Sequence, residues 1–268
     1  MKNPLKYSLL FSVTLVLVSC EYYLGMDQQP KFRSQNFEEG LNVFALISPD
    51  TLNGNNASFA YVHQLVPVLE QMSFSILKNV NISIGKVVSD NEITDSVVFS
   101  LIPGETVSKD TMYRPVSDFS PRPGERYRMI CRYNGLPDAV GETVIPPKPK
   151  IAENSLVVDG RKVIFTVEPD TLIGMLDIYH VKDNAHVLAQ RIVPSETEPT
   201  AIELNLLAEA SGSRLMLYSY DKNMAVYCGN ANISLNFNKY RTPISTLQSG
   251  FGIFGSINFT ELNLGLSK

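Results

Sequence analysis

The sequence predicts an all-β protein, built as a β-sandwich followed by a second β-rich domain with one or two short helices. Three observations point there. From residue 40 onward the chain breaks into short apolar runs separated by turn residues, the pattern of short strands. Several runs alternate between apolar and polar positions, the two-residue period of a half-buried strand. A proline run, Pro146-Pro147-Lys148-Pro149, divides two such regions and reads as a stiff boundary.

In the first region, 41–48 and 58–67 are compact apolar runs. Over 79–85, Val80, Ile82 and Ile84 point one way while Asn81 and Ser83 point the other. Val97, Phe99 and Leu101 repeat the theme within 95–103. The stretch 121–149 is the most informative. Tyr127, Met129, Cys131 and Tyr133 alternate with Arg126, Arg128, Ile130 and Arg132, so one strand face is apolar and the other basic. Asn134-Gly135 is a favoured turn dipeptide, and 139–145 returns as the partner strand. A Pro-Gly corner, a tyrosine opening a strand, a turn and a closing strand resemble the last hairpin of an immunoglobulin- or fibronectin-type sandwich. Tyr127 then stands near the tyrosine corner. The basic face of Arg126, Arg128 and Arg132 has two readings: a docking surface, or a sheet face paired with acids on neighbouring strands.

The second region opens with a hairpin signal: 156–158, Asp159-Gly160, then 161–167. The runs 175–181 and 186–193 flank Asp183-Asn184 and predict another. Helix-friendly composition over 202–210 predicts one short helix. A strand is expected over 214–220, and 221–240 stays open between helix and strand plus loop. In the tail, Gly250, Gly252 and Gly255 bracket Phe251, Ile253 and Phe254 before Ile257 and Phe259 alternate. Those glycines read as structural, allowing close strand contact or a bulge. No repeat of fixed period is present.

The N-terminus carries its own signal. Lys2 and Lys6 precede an apolar run over 9–18, the length of a signal-peptide core and short of the ~20 residues a membrane span needs. Leu17-Val18-Ser19-Cys20 resembles the bacterial lipobox. That pathway attaches a diacylglycerol to the Cys20 thiol, cuts before it and usually acylates the new amine. Two or three acyl chains anchor a protein stably where one does not. The expected organisation is therefore a signal peptide over 1–19, a lipidated tether over 20–39, a sandwich over 40–147 and a second β-rich domain over 148–268.

Composition narrows function. The chain has 268 residues, 44% of them hydrophobic, and a formal net charge of −4 with no Lys/Arg-rich block, which argues against a nucleic-acid partner. Cys20, Cys131 and Cys228 form no CxxC pair, and His63, His180 and His186 have no metal-ligand spacing. Cys131 reads as a small core residue. There is no nucleophile elbow and no phosphate-binding glycine loop, and "GFGIFG" lacks the dinucleotide spacing. The carboxylate pairs Glu38-Glu39, Glu196/Glu198 and Glu203/Glu209 read as solvated surface acids. No catalytic residue, metal or cofactor is expected.

Five features occur in order: the lipobox cysteine, a first strand "LNVFALISPD", the Pro-Gly-x-x-Tyr strand, the "VIPPKP" boundary and the closing "GFGIFG". Together they resemble the Bacteroidota lipoprotein family known as domain of unknown function 4249, over 39–264. The approach to the last glycine motif departs from the family's Asn-Ile-x-x-Gly, being Thr246-Leu247-Gln248-Ser249 here. The resemblance implies an outer-membrane lipoprotein, often encoded beside a TonB-dependent receptor, and supplies no catalytic residues. The expected function is an accessory or substrate-capturing partner of a TonB-dependent transporter. A glycan-binding surface module is the alternative, against which the absence of tryptophan counts.

A second resemblance is to the Bacteroidota O-glycosylation signal, Asp-Ser/Thr followed by an apolar residue. It occurs at Asp50-Thr51-Leu52, Asp95-Ser96-Val97, Asp110-Thr111-Met112 and Asp170-Thr171-Leu172, where about one match is expected by chance. Thr51, Ser96, Thr111 and Thr171 are the candidate acceptors. The competing reading is that such pairs are common where turns lead into strands.

Overall fold

A computed structural model describes residues 40–52, 55–64, 77–89, 92–102, 112–183, 185–229 and 245–265. The expected signal peptide, the expected tether with Cys20, and Thr111 lie outside them.

The fold is all-β. The first region supplies β1 (Leu41–Ile47), the two-residue strands β2 (Thr51–Leu52) and β3 (Asn55–Asn56), β4 (Phe59–Gln64), β5 (Asn81–Ser89), β6 (Glu92–Ile102), β7 (Met112–Pro115), β8 (Arg126–Arg132) and β9 (Ala139–Val144). The second supplies β10 (Val157–Asp159), β11 (Lys162–Val167), β12 (Met175–Lys182), β13 (Ala185–Ile192), β14 (Thr200–Asn205) and β15 (Ser213–Tyr220). A short helix, α1 (Lys222–Gly229), and the long strand β16 (Phe251–Leu264) follow.

The main ladder runs β13-β12-β15-β16-β1-β4-β7-β6-β5-β8-β9. Lettering β1, β4, β5, β6, β7, β8 and β9 as A to G, its first-region part reads A-B-E-D-C-F-G, the order of a seven-stranded immunoglobulin-type sandwich. Side chains from all seven strands meet in one core, including Val43, Val62, Ile82, Phe99, Tyr113, Met129 and Ala139. The Pro-Gly corner is a turn in which Glu125 N–H donates to Arg122 O at 3.1 Å, with Gly124 at φ +81. The buried Tyr127 hydroxyl donates to Glu125 Oε2 at 2.6 Å, back toward that corner.

The second region repeats the plan. A small sheet, β10-β11-β14, faces β13-β12-β15-β16 across a second core containing Phe165, Leu176, Ile178, Ile202, Leu204, Leu217 and Leu264. Lettered the same way, the small sheet is A, B and E, while β12, β15 and β16 are C, F and G.

β16 serves both halves. Phe251 to Ser256 run parallel to β1, from Asn42↔Phe251 to Ile47↔Ser256. Ile257 to Leu264 run antiparallel to β15. Phe254 therefore fills the first core and Leu264 the second. Gly252, at φ +99, explains one of the tail glycines: a Cβ there would lie 2.2 Å from Val43 O. At Gly255 a Cβ would strike the Met224 side chain of α1.

One expectation is overturned. Residues 202–210 are not helical; β14 occupies Thr200–Asn205. Ile202 and Leu204 point into the second core, while Glu203 reaches Lys162 on β11 at 2.8 Å. The Ala/Glu/Leu composition favours a helix, but pairing with β11 and a two-residue apolar period decide the outcome.

Candidate functional site

Two features stand out: an aromatic outer face on the second sandwich, and a polar seam where the two sandwiches meet.

On β12, Leu176 and Ile178 face the core, so Asp177 and Tyr179 face outward. Register places Arg191, Asp177, Tyr218 and Phe259 in one row across β13, β12, β15 and β16. Arg191 grips Asp177 with both arms, Nε to Oδ1 at 2.6 Å and Nη2 to Oδ2 at 2.8 Å, although Asp177 is only 1% exposed. The Asp177 hydrogen bond raises the Arg191 pKa still further above its ordinary value. Tyr179 packs edge-on against Tyr218 at 5.6 Å, and Tyr218 lies 5.7 Å from Phe259. Lys148, from the proline boundary, sits over Phe259 at 5.7 Å and pairs with Asp50 at 3.3 Å. Farther along this face α1 crosses β16, and Tyr227 lies 5.9 Å from Phe44 of β1.

The seam centres on Asp221, the residue before α1. Its Oδ1 accepts the Met224 N–H at 3.0 Å, as an N-cap does, and its Oδ2 accepts the Thr143 hydroxyl at 2.5 Å. Burial pushes its pKa up to about 6, against hydrogen bonds that favour the carboxylate. Ser256 lies 2.9 Å from Thr143 Oγ1 and donates to Val144 O at 2.9 Å. The Asn223 amide donates to Glu142 O and Phe254 O. The proline boundary is held too: Pro146 O accepts from Asn258 and Pro147 O from Ser219. Beside this network opens a cleft of about 420 Å³, lined by Arg126, Glu142, Leu172, Asp221 and Lys222 among others. Asp221 just before a helix has a sequence signature as an N-cap. Its partner Thr143 has none.

The three arginines of the basic face lie next to acids of β9 or the turn before it. Arg128 Nη2 meets Glu142 at 2.5 Å, Arg126 lies 3.8 Å from the same carboxylate, and Arg132 bonds Asp138 at 2.8 Å. Among the candidate glycan acceptors, Thr51, Ser96 and Thr171 are exposed. Asp170 Oδ1 accepts the Leu172 N–H at 2.8 Å, so this Asp-Thr pair also forms a turn. Cys131 is a fully buried core residue whose thiol pKa burial pushes up to about 12, and Cys131 and Cys228 are unpaired. Glu196 and Glu203 bond Lys222 and Lys162. Among the described residues no group of three or more His, Cys, Asp or Glu is arranged to hold a metal ion.

A Ser–His contact went unrecognised in the sequence. His180 Nε2 lies 2.8 Å from Ser213 Oγ, and Ser213 Oγ lies 2.6 Å from Ala210 O. A carbonyl only accepts, so the hydroxyl proton points at Ala210 and Nε2–H donates to Ser213. The imidazole is thus no base toward this hydroxyl. Burial, aided by Lys182, lowers the His180 pKa and so favours the neutral ring.

No protein-family model matches the chain, and no curated protein was found to match it.

Proposed function

We propose that the chain is a non-enzymatic outer-membrane lipoprotein whose two-sandwich body is an accessory or substrate-capturing partner of a TonB-dependent transporter. The observation that carries this reading is Leu17-Val18-Ser19-Cys20, standing ahead of a polar tether and a body that begins at β1. Lipid on Cys20 holds the body at a membrane surface, and the tether gives it reach. The sandwich plan supports a binding role, since such folds bind through loops and edge strands. Purification of the tagged, lipidated chain in mild detergent tests the reading. A large β-barrel receptor in the same peak is the expected result, and a chain that emerges alone counts against it.

The Tyr179, Tyr218 and Phe259 cluster favours a second reading, a glycan-binding module, because aromatic faces are what sugars stack on. A glycan array without hits removes it.

A further inference from the structure

The cleft beside the seam takes its lining from both sandwiches. Arg126 of β8 with Glu142 and Val144 of β9 come from the first. Leu172, from the loop between β11 and β12, and Lys222 of α1 come from the second. The loop and the start of α1 are held in place. Leu172 N–H donates to Asp170 Oδ1 at 2.8 Å, Gly174 N–H to Tyr220 O at 2.8 Å, and Asp221 N–H to Ser256 O at 3.1 Å. A preformed cleft of about 420 Å³ at the junction of two domains has the size and position of a small-molecule site.

Two carboxylates and two cations line it, and they are not equally engaged. Glu142 Oε1 takes both arms of Arg128, Nε at 2.6 Å and Nη2 at 2.5 Å. The Asp221 oxygens accept the Met224 N–H and the Thr143 hydroxyl, and burial favours the protonated acid. Both acids are thus committed within the fold. The cations are more open. Arg126 lies 3.8 Å from Glu142, beyond hydrogen-bond range, and its side chain is 41% exposed. Lys222 is 60% exposed. Its partner Glu196 lies outside the cleft lining, and an exposed pair of this kind contributes only about 0–1 kcal/mol. The charge left to meet a newcomer is positive. Val144 and Leu172 add half-buried apolar surface to the same space.

We propose that this cleft binds a small organic carboxylate, its charge met by Arg126 and Lys222 and its apolar body resting on Val144 and Leu172. The planar guanidinium fork matches a carboxylate. An inorganic anion would leave the two apolar side chains without a partner. The inference rests on the substrate-capturing part of the reading above for its purpose, and on the cleft for its chemistry.

Benzoate, benzamide and benzamidine share a ring and differ in charge, so titrating each into the full chain separates charge from apolar fit. Methyl NMR is the readout. Benzoate is expected to shift the Val144 and Leu172 methyls with a Kd on the order of 1 mM, at least fivefold tighter than the other two. Arg126→Met and Lys222→Met keep an apolar stem and remove the charge. Each is expected to weaken benzoate at least threefold, to leave benzamide unchanged and to melt as wild type does. Methyls that stay still, tightest binding by benzamidine or benzamide, or benzoate affinity unchanged in either variant overturns the proposal. A receptor that co-purifies with a chain blind to benzoate leaves the accessory role standing while the site fails. Benzoate bound by a chain that purifies alone leaves the site standing without the transporter.

Discussion

The Thr143 hydroxyl donates to the Asp221 carboxylate at 2.5 Å, and so joins the last strand of one sandwich to the turn that leaves the other. Asp221 holds α1 by its N-terminus, Thr143 meets Ser256, and Ser256 bonds Val144 O. A seam of this kind, together with the shared β16, makes the two sandwiches one body.

Stability is expected to depend on pH through Asp221. Its folded pKa is raised from 3.8 to about 6. A raised folded pKa means that the protonated side chain is the one the fold favours. This contribution is fully present below about pH 4 and is lost as pH rises through about 6, an amount of about 3 kcal/mol at most. Asp221→Asn keeps an N-cap oxygen without the charge. Urea unfolding from pH 4 to 8 should show the wild type losing stability relative to this variant as pH rises. A difference that is flat with pH rejects the assignment.

Arg191→Ala leaves the Asp177 carboxylate buried without its partner, and removing one member of a buried pair costs about 3–5 kcal/mol. Arg191 is partly exposed, so the lower end applies. The double variant Asp177→Asn, Arg191→Met should recover most of the loss. Thermal denaturation of wild type and the two variants checks this, and a single variant as stable as wild type contradicts it.

Phe254→Ala should destabilise the body by about 3–5 kcal/mol, because the ring is fully buried in the first core. Since its strand also pairs with β15 through the following residues, unfolding should stay a single transition. Calorimetry resolving two separated transitions would show that β16 does not couple the halves.

Much of this fold was legible in the sequence, and the reason is local. Val80, Ile82 and Ile84 alternate because their strand is half-buried, and the Pro-Gly turn with Tyr127 is a corner written in five consecutive residues. What stayed hidden is set by distant neighbours. Residues 202–210 have helical composition, and only β11 turns their first half into a strand. The glycines of "GFGIFG" read as close-approach residues, yet nothing local says that β1 is what approaches. Asp221 and Thr143 stand 78 residues apart, and neither predicts the other. The arginines of β8 were legible as a basic face, while their pairing with Glu142 and Asp138 needed the hairpin in three dimensions.

Ser213 should not react with a fluorophosphonate probe, since its proton is committed to Ala210 O. Ser213→Ala should instead cost about 1–2 kcal/mol, the loss of a buried hydroxyl and of the partner to His180. Covalent labelling of Ser213 by the probe would contradict this proton arrangement.

Native mass spectrometry of the detergent-extracted protein tests the central claim most directly, because it reads the lipid and the partner together. The predicted result is a mature chain that starts at Cys20, carries two or three acyl chains and is bound to a β-barrel receptor. An unacylated chain that flies alone would contradict it.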